Sequence, residues 1–238
     1  MQNVGNSFGL PFRSPGYFGT LVLMGLIGLI PIVGWINSLG WMLSIVDNYR
    51  SGRTDLPPAG FQYIGRGATL FLVVLVYALI IGAIFAVPFF LILAGSIASA
   101  SASSATPGST AFFGGGFATY IGLIQLLSLA ISLFYPAVIV ATERGGAGGG
   151  LNPVNVFGIA AANWKNTFIA GLLFFAASFI GGLGIYACCI GILFTAPYST
   201  AVMAGVVRYY EAEFEIPPIA PQAGVPPPPP PPAPYPPT

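Results

Sequence analysis

The chain has 238 residues, 55% of them hydrophobic and 5% charged, with seven Lys+Arg, six Asp+Glu and no histidine. Soluble domains carry roughly 25% charged residues, so a water-facing surface cannot be built from this supply, and lipid is the expected solvent for most of the chain. The net charge of +1 excludes a nucleic-acid field, and the lack of histidine removes the commonest general base and metal ligand.

Residues 1–18 form a polar N-terminal segment whose only charge is Arg13. The apolar run that begins at Gly19 resembles a signal sequence, but no small-x-small cleavage site follows it, so it is expected to be a retained membrane segment. The uncharged gaps then set the segment count. Ser14 to Val46 is 33 residues, Gly67 to Thr142 is 76, and Asn166 to Val207 is 42. A crossing helix needs about 20 apolar residues, so the second and third gaps fit two segments each. Breaks are expected at the Ser/Ala-rich stretch from about Gly95 to Thr110 and at Gly181–Gly184.

The first gap admits one long tilted helix, two helices breaking at Pro31–Gly34, or a re-entrant pair. If all three gaps are hairpins, Arg13, Arg50, Arg53, Arg66, Arg144, Lys165 and Arg208 share one face. That is a positive-inside pattern with both termini cytoplasmic. The expected fold is therefore an all-α polytopic membrane bundle of six segments in three hairpins over residues 19–212. It is followed from 213 to 238 by an acidic, then proline-rich, disordered tail.

Two connections look alike. Asp47 to Arg66 holds five of the chain's charges. In it, Leu56-Pro57-Pro58 precedes Phe61 and Ile64. In the second, Asn152-Pro153 is a cap followed by a first-turn proline, and Val154, Phe157, Ala161 and Trp164 recur at helical spacing. Short interfacial helices are expected at both. The stretch from Glu143 to Gly150 reads as a flexible linker by composition.

The apolar runs hold no ionisable groups. Asp47 lies three residues before Arg50, which predicts a local ion pair, and Glu143 beside Arg144 is likewise terminal. Asn37 and Gln125 are the most costly neutral groups to bury, and each needs a partner. Pro31, Pro136 and Pro197 each lie in or just before the returning segment of a hairpin and read as tolerated kinks or as marks of a transport site. The adjacent Cys188 and Cys189 lack metal-site spacing and read as small packing residues. Small residues at four-residue spacing, such as Gly40/Ser44, Ser128/Ser132 and Ala177/Gly181, allow close helix approach without distinguishing internal packing from a homo-oligomer. Residues 216–238 contain thirteen prolines, which predicts an extended tail suited to a protein partner. No nucleotide, zinc or serine-hydrolase pattern occurs, and no cofactor is expected.

The run Gly28-Leu29-Ile30-Pro31-Ile32-Val33-Gly34, then Gly40, Tyr49-Arg50, Gly52 and Leu56-Pro57, resembles the start of the membrane proteins called domain of unknown function 4013. Cys188 to Tyr198 resembles the end of the same family. The resemblance covers roughly residues 19–212. It implies a multi-pass prokaryotic membrane protein and carries over no activity or catalytic residue. The chain departs from the family pattern after Pro57, where Pro58-Ala59-Gly60-Phe61 replaces an acidic, tryptophan-containing stretch.

Three functions follow as expectations. The first is a non-enzymatic scaffold, assembly or envelope-homeostasis component in the cell membrane. The second is a passive transporter or channel for an uncharged or lipid-like molecule, which requires a cavity reaching Asn37 or Gln125. The third and weakest is an enzyme with a site around Asp47, Asp55 and Glu143.

Overall fold

The computed structural model describes residues 6–101, 107–186 and 191–213. The described residues are all-α, with eight helices. A short helix α1 (Asn6–Gly9) and a 3-10 turn (Leu10–Arg13) lead into α2 (Tyr17–Gly28) and α3 (Val33–Arg50). There follow α4 (Ile64–Ser101), α5 (Pro107–Leu151), α6 (Pro153–Ala162), α7 (Trp164–Leu183) and α8 (Ile192–Glu213). Three of these, α4, α5 and α7, are long and apolar enough to cross a membrane.

The first uncharged gap is two helices. The break falls at residues 29–32, where Pro31 follows the end of α2 and Ile32 takes a positive φ of 65°. A β-branched residue is strained in that region. Leu29, Ile30, Ile32 and Val33, around this turn, are all exposed apolar side chains. Within the Ser/Ala-rich stretch, where a break is expected from about Gly95 to Thr110, helix runs to Ser101 and from Pro107 onward, and residues 102–106 lie outside the described residues.

Helices α3, α4, α5, α7 and α8 close a ring: each packs on the next, and α8 returns to α3. Helix α2 lies outside the ring against α8 and α3. The core is richest where α2, α3 and α8 meet, with Leu21, Met24, Trp41, Ile45, Val207 and Tyr210 fully or almost fully buried. The α3–α4 crossing depends on two glycines. A Cβ at Gly40 would run into the Tyr63 carbonyl, and one at Gly67 into the Ile36 carbonyl. This is the close backbone approach that small residues permit.

Two connections differ from expectation. No separate helix precedes α4: Phe61 lies in a turn, half exposed, and Ile64 opens α4 itself. The loop is instead held along α3, where Trp41 Nε1 donates to the Pro57 carbonyl at 3.2 Å and Asn48 Nδ2 to the Asp55 carbonyl at 2.8 Å. The stretch from Glu143 to Gly150 is not a loose linker. Helix α5 continues to a break at Gly146, whose φ is 61°. The chain then folds back so that Gly149 meets Ala141 and Gly150 meets Thr142 and Val73. Gly149 and Gly150 serve close packing and Gly146 the positive φ of the break, while a Cβ at Gly145 or Gly148 would meet open space.

The second connecting helix, α6, forms as the cap signal predicts. The Asn152 side chain accepts from Val154 N at 3.0 Å and Asn155 N at 3.3 Å, and Pro153 occupies the first turn. Val156 and Ala160 pack into a small cluster with Val73, Ala137, Val138 and Ala141. Val154, Phe157 and Trp164 remain exposed, an apolar stripe of the kind found at a membrane interface.

Candidate functional site

The charged residues gather at one end of the ring. Arg50, at the end of α3, is the hub. It reaches Asp47 one turn back on its own helix at 2.7 Å, Glu143 on α5 and Glu211 on α8, with Arg50 Nε donating to Glu211 Oε2 at 3.0 Å. Arg66, near the start of α4, pairs with Asp47 and with Glu143 at 2.7 Å. Arg208 approaches Glu211 at 3.9 Å. Three carboxylates meet three guanidiniums, so the cluster is formally neutral, and it joins α3, α4, α5 and α8.

Burial grades the cluster. The side chains of Glu211 and Glu143 are 6% and 8% exposed, Arg50 13% and Asp47 43%. Burial alone pulls the Arg50 guanidinium down. Hydrogen bonds and charge from Glu211 and Glu143 more than reverse this, and the net direction is up, so Arg50 is a fixed cation. The local Asp47–Arg50 pair is as expected from the spacing. Glu143 is not merely terminal beside Arg144; it bridges Arg50 and Arg66. Glu211 is buried in the last turns of α8. Sequence separations of 93 and 161 residues hid these partners.

The remaining candidate residues scatter. Asn37 is fully buried; its Nδ2 donates to the Gly60 carbonyl at 2.9 Å, while its Oδ1 has no partner among the described residues. Gln125 is exposed on α5 rather than buried between helices. Pro31 is exposed in the α2–α3 turn, whereas Pro136 and Pro197 are buried inside α5 and α8. Pro88 interrupts α4, an outgoing helix, so proline does not mark the returning helices alone. Cys188, Cys189 and the proline-rich tail lie outside the described residues.

A cavity of about 490 Å³ lies within the ring, with lining from all five of its helices. Its hydroxyls are Ser38, Ser128, Ser132, Ser178 and Thr200. Met42 and Phe174 are buried walls, while Trp35 is 64% exposed. Neither Asn37 nor Gln125 lines it.

The DUF4013 family, proteins of unknown function, matches residues 23–209. The chain belongs to that family. The DUF4013 match spans α3 through α7, half of α2 and most of α8, and so takes in the cavity and all of the ion cluster except Glu211. No curated protein and no solved structure matches the chain.

Proposed function

We propose that this DUF4013 protein is a non-enzymatic component of the cell membrane, a scaffold or assembly factor that presents its tail to a cytoplasmic partner. The observation that carries this reading is the ion cluster. It commits Asp47, Glu143 and Glu211 to arginines that tie four helices together, which is a structural use of charge.

The seven basic residues share that end, which favours six segments in three hairpins with both termini inside. Arg50, Arg66 and Arg208 are in the cluster. Arg53 bonds Asn48 at 2.8 Å, and Arg13 adjoins Ser14, whose hydroxyl accepts from Leu56 N. Arg144 follows Glu143. Lys165 lies two residues before Thr167, whose hydroxyl meets that of Tyr210 at 2.9 Å. The 18 residues of α3 rise about 27 Å, short of the roughly 30 Å hydrocarbon layer. With its exposed apolar turn, the α2–α3 hairpin fits a re-entrant pair.

Transport through a cavity reaching Asn37 or Gln125 is the less favoured reading, since neither residue lines the cavity found. The test is affinity purification from cells expressing the chain with and without residues 216–238. Partners that depend on the tail support the reading, and an unchanged partner set overturns the tail's part in it. Orientation is read separately from single cysteines at Ser14, Ser103 and Gly148 in a chain lacking Cys188 and Cys189. Labelling from outside only at Ser103 is expected, and labelling at Ser14 would overturn the three-hairpin arrangement.

A further inference from the structure

The ring cavity has a chemistry that selects a ligand. No charged side chain lines it. In a low-dielectric site, an unpaired charge is strongly disfavoured, so ionised headgroups are excluded in either sign. Its volume of about 490 Å³ falls within the 300–1,000 Å³ range typical of small-molecule sites.

Four of the serine and threonine hydroxyls, all but that of Ser38, are already committed as donors. Ser128 Oγ donates to the Ile124 carbonyl at 2.8 Å, Ser178 Oγ to Phe174 at 2.9 Å and Thr200 Oγ1 to Ala196 at 3.0 Å. Ser132 Oγ donates to Leu129 at 2.7 Å. Each is a bond within its own helix, so these oxygens offer only lone pairs to a ligand. Tyr135 is the complement. It lines the cavity on the same α5 stripe as Ser128 and Ser132, its ring lies against Phe174 at 5.5 Å, and its phenol makes no hydrogen bond among the described residues. The cavity thus offers acceptors and an unused neutral donor along one stripe, walled by Met42 and Phe174.

We propose that the cavity binds an uncharged amphiphile, an apolar chain carrying a hydroxyl group, drawn from the bilayer. The ligand hydroxyl accepts from Tyr135 and donates to a serine oxygen, and its chain lies against Met42 and Phe174. The ion cluster lies on the cytoplasmic side in the proposed orientation. Met42 precedes Asp47 by five residues on α3, and Met203, another wall, precedes Glu211 by eight on α8. Ligand exchange is therefore with lipid, past exposed Trp35 and Ser128. This site is independent of the tail and of the scaffold reading.

The test uses the full chain in phosphatidylcholine nanodiscs and two photo-crosslinking probes of equal chain length, a diazirine-bearing fatty alcohol and the matching fatty acid, at neutral pH. Mass spectrometry maps the labelled peptides. The alcohol is expected to label the peptides of Met42, Tyr135 and Phe174 well above the acid. Tyr135→Phe keeps the ring and removes one hydrogen bond, so labelling there should fall about fivefold. Ser132→Leu, which fills the cavity, should abolish it. Equal labelling by acid and alcohol, labelling confined to α4 outside its cavity-lining residues Phe71 and Val74, or no change in Tyr135→Phe would overturn the proposal. If Ser132→Leu fails to fold, the probe comparison and Tyr135→Phe decide it alone.

Discussion

Two layers of the same helical ring are built by opposite means. At one end, Asp47, Arg50, Arg66, Glu143 and Glu211 bond across four helices. About three to four turns away, Ser128, Ser132, Ser178 and Thr200 bond only to their own helix backbones, and a cavity remains between the helices. The difference teaches where this bundle draws its specificity. In lipid, apolar side chains gain little by leaving the solvent for one another. Groups that must be satisfied across helices therefore fix the register, and groups satisfied locally leave the helices free to stand apart.

The largest expected effect breaks the first layer. Arg50→Met removes the hub and leaves Glu143 and Glu211 buried without their main cation. Removing one partner of a buried pair costs about 3–5 kcal/mol, so thermal unfolding of the detergent-solubilised protein should show severe destabilisation. Adding Glu211→Gln to Arg50→Met removes one stranded charge and should recover part of the loss. An Arg50→Met protein as stable as the parent would show that the cluster does not hold the ring.

A smaller effect is expected at the α3–α4 crossing, which keeps the two layers in register. Gly67→Val places side-chain atoms where the Ile36 carbonyl now sits. Overpacking of this kind costs about 1–3 kcal/mol. The same melting measurement checks it, and a neutral result would show that the helices can separate without loss.

Within the ion cluster, burial grades the outcome. Asp47 is 43% exposed, so solvent screens its pairs, and Asp47→Asn should cost no more than about 1 kcal/mol. The cost should shrink as salt is added, whereas that of Arg50→Met should hardly respond. Equal salt dependence would remove the distinction between the exposed and buried parts of the cluster.

These layers were unequally legible in the sequence. Uncharged gaps located the apolar helices, Asn152-Pro153 located the start of α6, and the three-residue spacing of Asp47 and Arg50 gave their pair, because each is a local pattern. Glu143 and Glu211 were hidden because their partners are remote. Glu143 sits beside Arg144, which suggested a merely terminal role. One signal was available: the acids and bases all lie near the ends of apolar segments on a single face, where antiparallel helices bring segment ends together. The Gly146 reversal was hidden differently, since a run of glycines reads alike whether it flexes or packs. The Ser128/Ser132 spacing pointed to helix contact, and the side chains instead line the cavity.

The smallest expected effect tests the second layer. Ser132 Oγ donates to the Leu129 carbonyl and bridges no neighbouring helix. Ser132→Ala removes that bond without stranding a group on another helix, and the site keeps its other hydroxyls. Hydrogen bonds in membrane bundles average about 0.6 kcal/mol even where they cross between helices, so the change in unfolding should be at or below that size. A loss comparable to that of Arg50→Met would mean that Ser132 bonds across the ring after all, and the contrast between a stitched layer and an open one would fail. A near-neutral melt combined with altered ligand labelling would place the serine where the geometry does, on the wall of a binding cavity rather than in the framework.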